Sequence, residues 1–191
     1  QDVKVLECAV INSTIIGRKN VGGAIGFMDY SMDNSAYKQY VKDIYVLANI
    51  YGNENVGGVV GYLRTEIQNA VTHVKLYKNE ANPEQKNFGQ VIGFFQNSSR
   101  AGVKKASASS LLSYEDGSIF GAVSTANDIP NIDSASIFLV GENLNQYQTN
   151  LKKEEIHLDF ILLHTDFDVA TKEEGTIWRL ENYEIILRVL V

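Results

Sequence analysis

The residues best equipped for chemistry lie late in the chain. The stretch IHLDFILLHTDFD at 156–168 holds two of the three histidines together with three aspartates. His157 with Asp159, or His164 with Asp166, is the kind of nitrogen and oxygen set that takes a divalent metal. The spacing argues against it. Read as a strand with period 2, His157 and Asp159 share a face with Ile161 and Leu163, while His164 and Asp166 share the other with Leu158, Phe160 and Leu162. No HExxH-type spacing occurs to turn two of these side chains onto one helix face. The expectation is therefore polar positions on a half-buried strand or turn, with no metal and no cofactor.

Other candidate chemistries fail on single residues. Gly17 to Gly22 has the glycine spacing of a phosphate loop, G-x-x-x-x-G, but Gly23 stands where a lysine would have to reach the phosphates. The same departure recurs at Gly58 after Gly52. No G-x-S-x-G elbow exists, and Cys8, the one cysteine, has no adjacent histidine to raise its thiolate fraction. Cys8 sits in the apolar run ECAVI, which predicts a buried thiol acting as a small hydrophobe. Asp29, Asp33, Asp43 and Glu66 are scattered rather than repeated, whereas glycan-cleaving chemistry requires clustered carboxylates. Tyr30, Tyr37, Tyr40, Tyr45 and Tyr51 are of a type enriched at binding surfaces, although packing with the hydroxyl outward accounts for them as well. These residues point away from an enzyme.

What the sequence carries instead is a repeated frame. NVGGAIGFM at 20–28 returns as NVGGVVGYL at 55–63, and weaker copies follow as NFGQVIGFF at 87–95 and SIFGAVSTA at 118–126. Gly22, Gly57, Gly89 and Gly121 then fall at spacings of 35, 32 and 32 residues, a period that marks stacked structural repeats. Each copy is preceded by an apolar run: CAVINSTII at 8–16, IYVLANI at 44–50, VKLYK at 74–78 and ASASSLL at 106–112. A fifth run, SASIFLV at 134–140, has no clean glycine strand behind it.

Stacked coils bring equivalent residues into register about 4.8 Å apart. On that basis Val21, Val56, Phe88 and Phe120 form one column, Ile25, Val60 and Ile92 a second, and Phe27, Tyr62 and Phe94 an aromatic third. Asn20, Asn55 and Asn87 stack at the turn before the strand, where their amides can bond to one another or to backbone. Strand alternation puts Gly22 and Gly26 on one face, as it does Gly57 and Gly61, and Gly89 and Gly93. Glycine weakens a strand, so a recurrent pair implies that another backbone or a large side chain lies very close there.

Composition bounds the rest. The 191 residues suffice to bury a core, a single cysteine allows no intrachain disulfide, and frequent Val, Ile, Tyr and Phe with two prolines favour strands. Net charge is −6, and no segment concentrates lysine or arginine as a nucleic-acid footprint requires. No run approaches the roughly 18 apolar residues that span a membrane. With no initiator methionine and no signal-like start, the chain reads as an excised fragment or a mature form.

The phrases NVGGAIG at 20–26 and NVGGVVG at 55–61 resemble the GLUG motif, whose consensus is near NVGGLVG, and the resemblance covers about residues 4–126 in four copies. GQVIG at 89–93 departs at its second glycine, and FGAVS at 120–124 keeps one glycine. TDFDVATKEEGTIWRLENYEIILRVL at 165–190 is similar to the segment that closes many such arrays, with Glu184 and Ile185 where the family usually has a proline. The resemblance implies a right-handed parallel β-solenoid in an extracellular or cell-surface setting, and no catalytic residue.

The expectation is thus a mainly β chain: repeats of about four to five coils over 1–140 and a capping or closing segment over 141–191. It would be a non-enzymatic repeat module, a rigid spacer or an adhesion surface for a host or matrix macromolecule, protein or glycan. The alternative is the substrate-positioning, non-catalytic region of a secreted IgA1-protease-like metallopeptidase. The structural motif residues are Asn20, Gly22, Gly23, Gly26, Asn55, Gly57, Gly58, Gly61, Asn87, Gly89, Gly93 and Gly121.

Overall fold

In the computed structural model the coils run parallel and stack along one axis, and the structure describes residues 3–29, 39–79, 86–97, 105–124, 129–143, 145–170 and 177–188. Tyr30, Asp33 and Tyr37 lie outside the described residues. Each of the first three coils supplies one long and two short strands. They are β1 (Val3–Ile16), β2 (Lys19–Gly22) and β3 (Ile25–Met28); β4 (Gln39–Gly52), β5 (Glu54–Gly57) and β6 (Val60–Leu63); β7 (Glu66–Lys78), β8 (Lys86–Gly89) and β9 (Ile92–Phe95). Later coils are abbreviated to β10 (Ser107–Ser113) and β11 (Phe120–Val123), then β12 (Asn131–Ile132) and β13 (Ile137–Val140), then β14 (Thr149–Leu151).

Three parallel sheets result. The long strands pair in the order β1-β4-β7-β10-β13-β14, with β12 beside β10; the short strands pair as β2-β5-β8 and as β3-β6-β9-β11. This is a parallel β-solenoid. Its interior is filled by like on like, for example Ile44 on Ala70 on Leu111 on Ile137, all fully buried. A parallel stack has every interior coil's backbone paired on both sides, so the unpaired edges concentrate at its ends.

The end position of β1 explains one departure from expectation. Cys8 is exposed, not buried. Its strand has a partner, β4, on one side alone among the described residues, so the apolar run ECAVI lacks a second coil to cover it. Val3, Leu6, Ile11 and Ile16 are exposed in the same strand.

The glycine phrase is also not one strand. It turns a corner at its centre, ending β2, β5 and β8 at the first glycine and starting β3, β6 and β9 afresh. Within β6, Val60 and Leu63 enter the core while Tyr62 points away, so strict alternation slips once at Gly61. Val21 and Ile25 therefore face the core whereas Phe27 is exposed, and the three do not share a face.

The fourth copy sits in a different register from the one its glycine suggests. Phe120 pairs with Ile92, and Val123 with Phe95. Gly121 consequently stacks on Gly93, in the column of Gly26 and Gly61, and not on Gly89. The column of Val21, Val56 and Phe88 ends at Phe88.

Beyond β14 the chain leaves the stack and lies along the outer side of the long sheet. It forms α1 (Leu158–His164) and a small sheet of β15 (Val169–Ala170), β16 (Trp178–Glu181) and β17 (Glu184–Leu187). Tyr45, Val71, Leu112 and Phe138, the outward column of successive coils, form a second core with Ile156, Ile161, Phe167, Trp178, Ile185 and Leu187. The closing stretch thus pairs an end of the long sheet through β14 and otherwise covers a flank. The region 156–168, expected as strand or turn, is helical over seven residues, with His157 as N-cap accepting from the Phe160 amide at 3.3 Å.

Candidate functional site

The corner of each coil is made by two residue types with different tasks. Asn20, Asn55 and Asn87 adopt left-handed backbone, with φ of 52°, 52° and 62°. Asparagine tolerates that region because its short amide bonds locally. The motif glycines do not adopt it, since Gly117 is the only described glycine with positive φ. Their role is closeness. A Cβ on Gly57 would collide with the Val60 carbonyl oxygen and come within 2.6 Å of the Gly93 nitrogen. Gly22 and Gly89 meet the equivalent atoms, the Ile25 and Ile92 carbonyl oxygens.

The remaining glycines serve contacts between coils. Gly61, Gly93 and Gly121 each press against the asparagine peptide of the preceding coil, at Asn20, Asn55 and Asn87 in turn. Gly26, in the first coil, is the exception: among the described residues the one atom this close to its Cβ position is the Asn20 carbonyl oxygen of its own coil, at 2.8 Å. Gly23 and Gly58 face the backbone of the next coil, at Gly58 and Gln90. Gln90 replaces the glycine in the third coil because the loop above it is differently built: its side chain donates to the Asp116 carbonyl at 2.7 Å and packs on Gly117.

Three columns then line a groove of about 400 Å³ on the outside of this corner. At its centre is the amide ladder. Asn55 Nδ2 donates to Asn20 Oδ1 at 2.7 Å, and Asn87 Nδ2 donates to Asn55 Oδ1 at 2.6 Å. On one side runs a charged row, with Lys19 and Lys86 at 3.1 and 3.4 Å from the same Glu54 carboxylate oxygen. The bond from Lys19 chiefly holds the Glu54 carboxyl below its ordinary range, opposed by burial, and Lys86 adds to the lowering.

On the other side runs the aromatic row. Phe27, Tyr62 and Phe94 follow one another at centroid separations of 5.1 Å, the first pair edge-to-face and the second tilted. Tyr62 is fixed by its hydroxyl, which donates to Gln96 Oε1 at 2.5 Å and accepts from Arg64 Nε at 2.9 Å. Arg64 lies over the ring at 5.1 Å and pairs with Asp29 at 3.2 Å. The aromatic row ends at the fourth coil, where Ala122 pairs with Phe94. The aromatic and asparagine columns are legible in the sequence; the charged row is not, because Lys19, Glu54 and Lys86 alternate in sign.

A second polar column escaped sequence reasoning altogether. Glu7, Asp43, Asn69 and Ser110 all have left-handed backbone within the long strands and occupy equivalent positions in successive coils. Asp43 Oδ1 accepts from Asn69 Nδ2 at 2.9 Å and from the indole Nε1 of Trp178 at 2.9 Å. Asn69 also donates to the Asp166 carbonyl at 3.2 Å, and the Asp166 amide donates to Ser110 Oγ at 2.8 Å. This column is the seat of the C-terminal segment. Tyr45 is buried against the same segment, and burial raises its hydroxyl pKa. Tyr51 stacks on Tyr77 at 4.6 Å.

The histidines and aspartates of 156–168 are dispersed. His164 contacts Phe160 and Phe138, Asp166 accepts from Gln68 Nε2 at 3.0 Å, and His157 caps α1. Among the described residues no three His, Cys, Asp or Glu side chains come together as a metal set, and no helix is long and apolar enough to cross a membrane. No family model, no curated protein and no solved structure matches the chain.

Proposed function

We propose that the chain is a non-enzymatic repeat module of a cell-surface or secreted protein of the GLUG-motif kind, a rigid spacer that presents a recognition surface for a host or matrix macromolecule. The observation that carries this reading is the groove. Register stacking turns one short phrase into amide, charged and aromatic rows that run across three coils, and every row is built on backbone paired from coil to coil. A rigid scaffold with fixed side chains lowers the ordering cost of binding.

The same groove offers poor catalytic material. Glu54 is held ionised by two lysines, which disfavours a general acid, and among the described residues no second carboxylate lines the groove to complete a hydrolytic pair. Retention of the purified chain on immobilised matrix proteins and glycans, with the captured material checked for cleavage, tests the reading. Saturable retention with intact ligand is expected. Cleavage of the ligand would contradict the non-enzymatic part, and absence of retention across the panel would contradict recognition.

A further inference from the structure

We infer that the groove binds a linear, uncharged glycan chain lying parallel to the solenoid axis, an assignment that rests on the recognition reading above and names its ligand class. Sugar rings carry apolar C–H faces and hydroxyl edges. A site for them needs aromatic surface beside groups that both donate and accept hydrogen bonds. The groove has both in parallel rows. Phe27 is 49% exposed, Tyr62 and Phe94 are half-buried, and all three line the groove with the asparagine ladder alongside. Asn20 and Asn87, at the two ends of that ladder, are half-buried where Asn55 is buried.

Other polymers fit less well. An extended peptide is usually read by a free sheet edge. The central strands here, β5 and β6, are paired on both sides, so the middle of the groove offers side chains and no open backbone ladder. Nucleic acid requires a basic track, whereas Glu54 sits in the middle of the charged row and the whole chain carries −6. The alternation Lys19, Glu54, Lys86 suits hydroxyls, which donate to the carboxylate and accept from the ammonium groups. A carboxylated sugar would have to displace Glu54 from its lysines.

The length of the site is set by the coils. From Phe27 to Phe94 there are two inter-strand steps, about 10 Å, so a few sugar rings fill the aromatic row and further rings add nothing. Tyr62, pinned between Gln96 and Arg64, holds the central ring in place before a ligand arrives.

The experiment is a titration of the intact chain with β-1,4-linked oligomers of glucose and N-acetylglucosamine and β-linked oligomers of mannose, from two to six rings, followed by calorimetry and amide chemical shifts. A hyaluronan hexasaccharide is the acidic comparison. At least one neutral series is expected to bind with affinity that rises from two rings and levels off by about four, with shifts confined to residues 19–27, 54–62 and 86–94. Phe27→Ala and Phe94→Ala are expected to weaken it at least tenfold. Tyr77→Ala, which removes an aromatic ring that stacks on Tyr51 and does not line the groove, is expected to leave it unchanged. No binding of any neutral hexamer at millimolar concentration overturns the assignment, as does binding indifferent to Phe27→Ala or tighter binding of hyaluronan. If the chain is retained on matrix proteins while every oligosaccharide fails, recognition stands and the glycan falls.

Discussion

The solenoid turns two kinds of corner on polar residues in left-handed backbone, and the two have opposite fates. At one, Asn20, Asn55 and Asn87 bond mainly to each other and border an open groove. At the other, Asp43, Asn69 and Ser110 are answered by groups from a distant part of the chain: the Trp178 indole and the backbone of Asp166. The backbone problem is the same in both. Stacking of polar left-handed residues therefore says how a coil bends and nothing about use. What covers the column decides whether it is a packing seat or a surface.

The comparison breaks most readily at Trp178. This ring is fully buried, and its Nε1 donates to Asp43. Trp178→Ala should cost about 3–5 kcal/mol in urea unfolding, the range for large aromatic deletions in cores. A cost below about 1 kcal/mol would mean that the flank does not depend on the C-terminal segment.

At the open corner the largest effect belongs to the glycines. Gly57→Val drives a side chain into the Val60 carbonyl and should cost about 1–3 kcal/mol or more. Val59→Ile should cost less, because its column accepts Ala24, Val59, Val91 and Ile119. Gly121 lies in the weakest copy, yet its contacts with Gly93 and Asn87 match those of Gly61 and Gly93 with their neighbours. Gly121→Val should therefore destabilise as much as Gly61→Val, and a mild effect would contradict the register.

Asn55→Ala removes the middle of the ladder and leaves alanine in left-handed backbone, at a cost of about 1–2 kcal/mol. Asn55→Gly should recover the backbone share. Equal stability of the two variants would assign the whole effect to the amide bonds.

The smallest effect separates the corners by pH. His73 stacks on Tyr114 at 4.3 Å and leans on Tyr45, on the sealed flank. Burial lowers its pKa below the ordinary 6.5, opposed by Glu184 and aided by Lys153. The unfolded chain then binds a proton that the folded chain refuses, so stability is complete above pH 6.5 and falls as pH drops from there toward the lowered folded value. Unfolding curves at pH 7.5 and 5.5 should show this loss, and His73→Gln should reduce it.

Much of this was legible in the sequence, because repeated glycines and asparagines occupy columns that tolerate little else. The fourth register was not, since a copy with one glycine can be set on either of two glycine columns. The second polar column was hidden by loops of unequal length. Once the long strands are aligned it is visible as VLECAV at 5–10, VKDIYV at 41–46, IQNAVT at 67–72 and ASSLLS at 108–113, each with a polar residue third. That residue resets the alternation, so Val41 and Ile44 both enter the core, and a search for period 2 loses the pattern. Helix α1 has seven residues, too few for its period to stand out from a strand's.

Trp178 is the only tryptophan in the chain, so its fluorescence reads the sealed flank without a label. The account predicts native emission well to the blue of indole in water, with little quenching by acrylamide, and ready quenching after Asp43→Ala loosens the indole bond. Water-like emission and free quenching of the native protein would contradict the claim that the C-terminal segment closes this corner while the asparagine corner stays open.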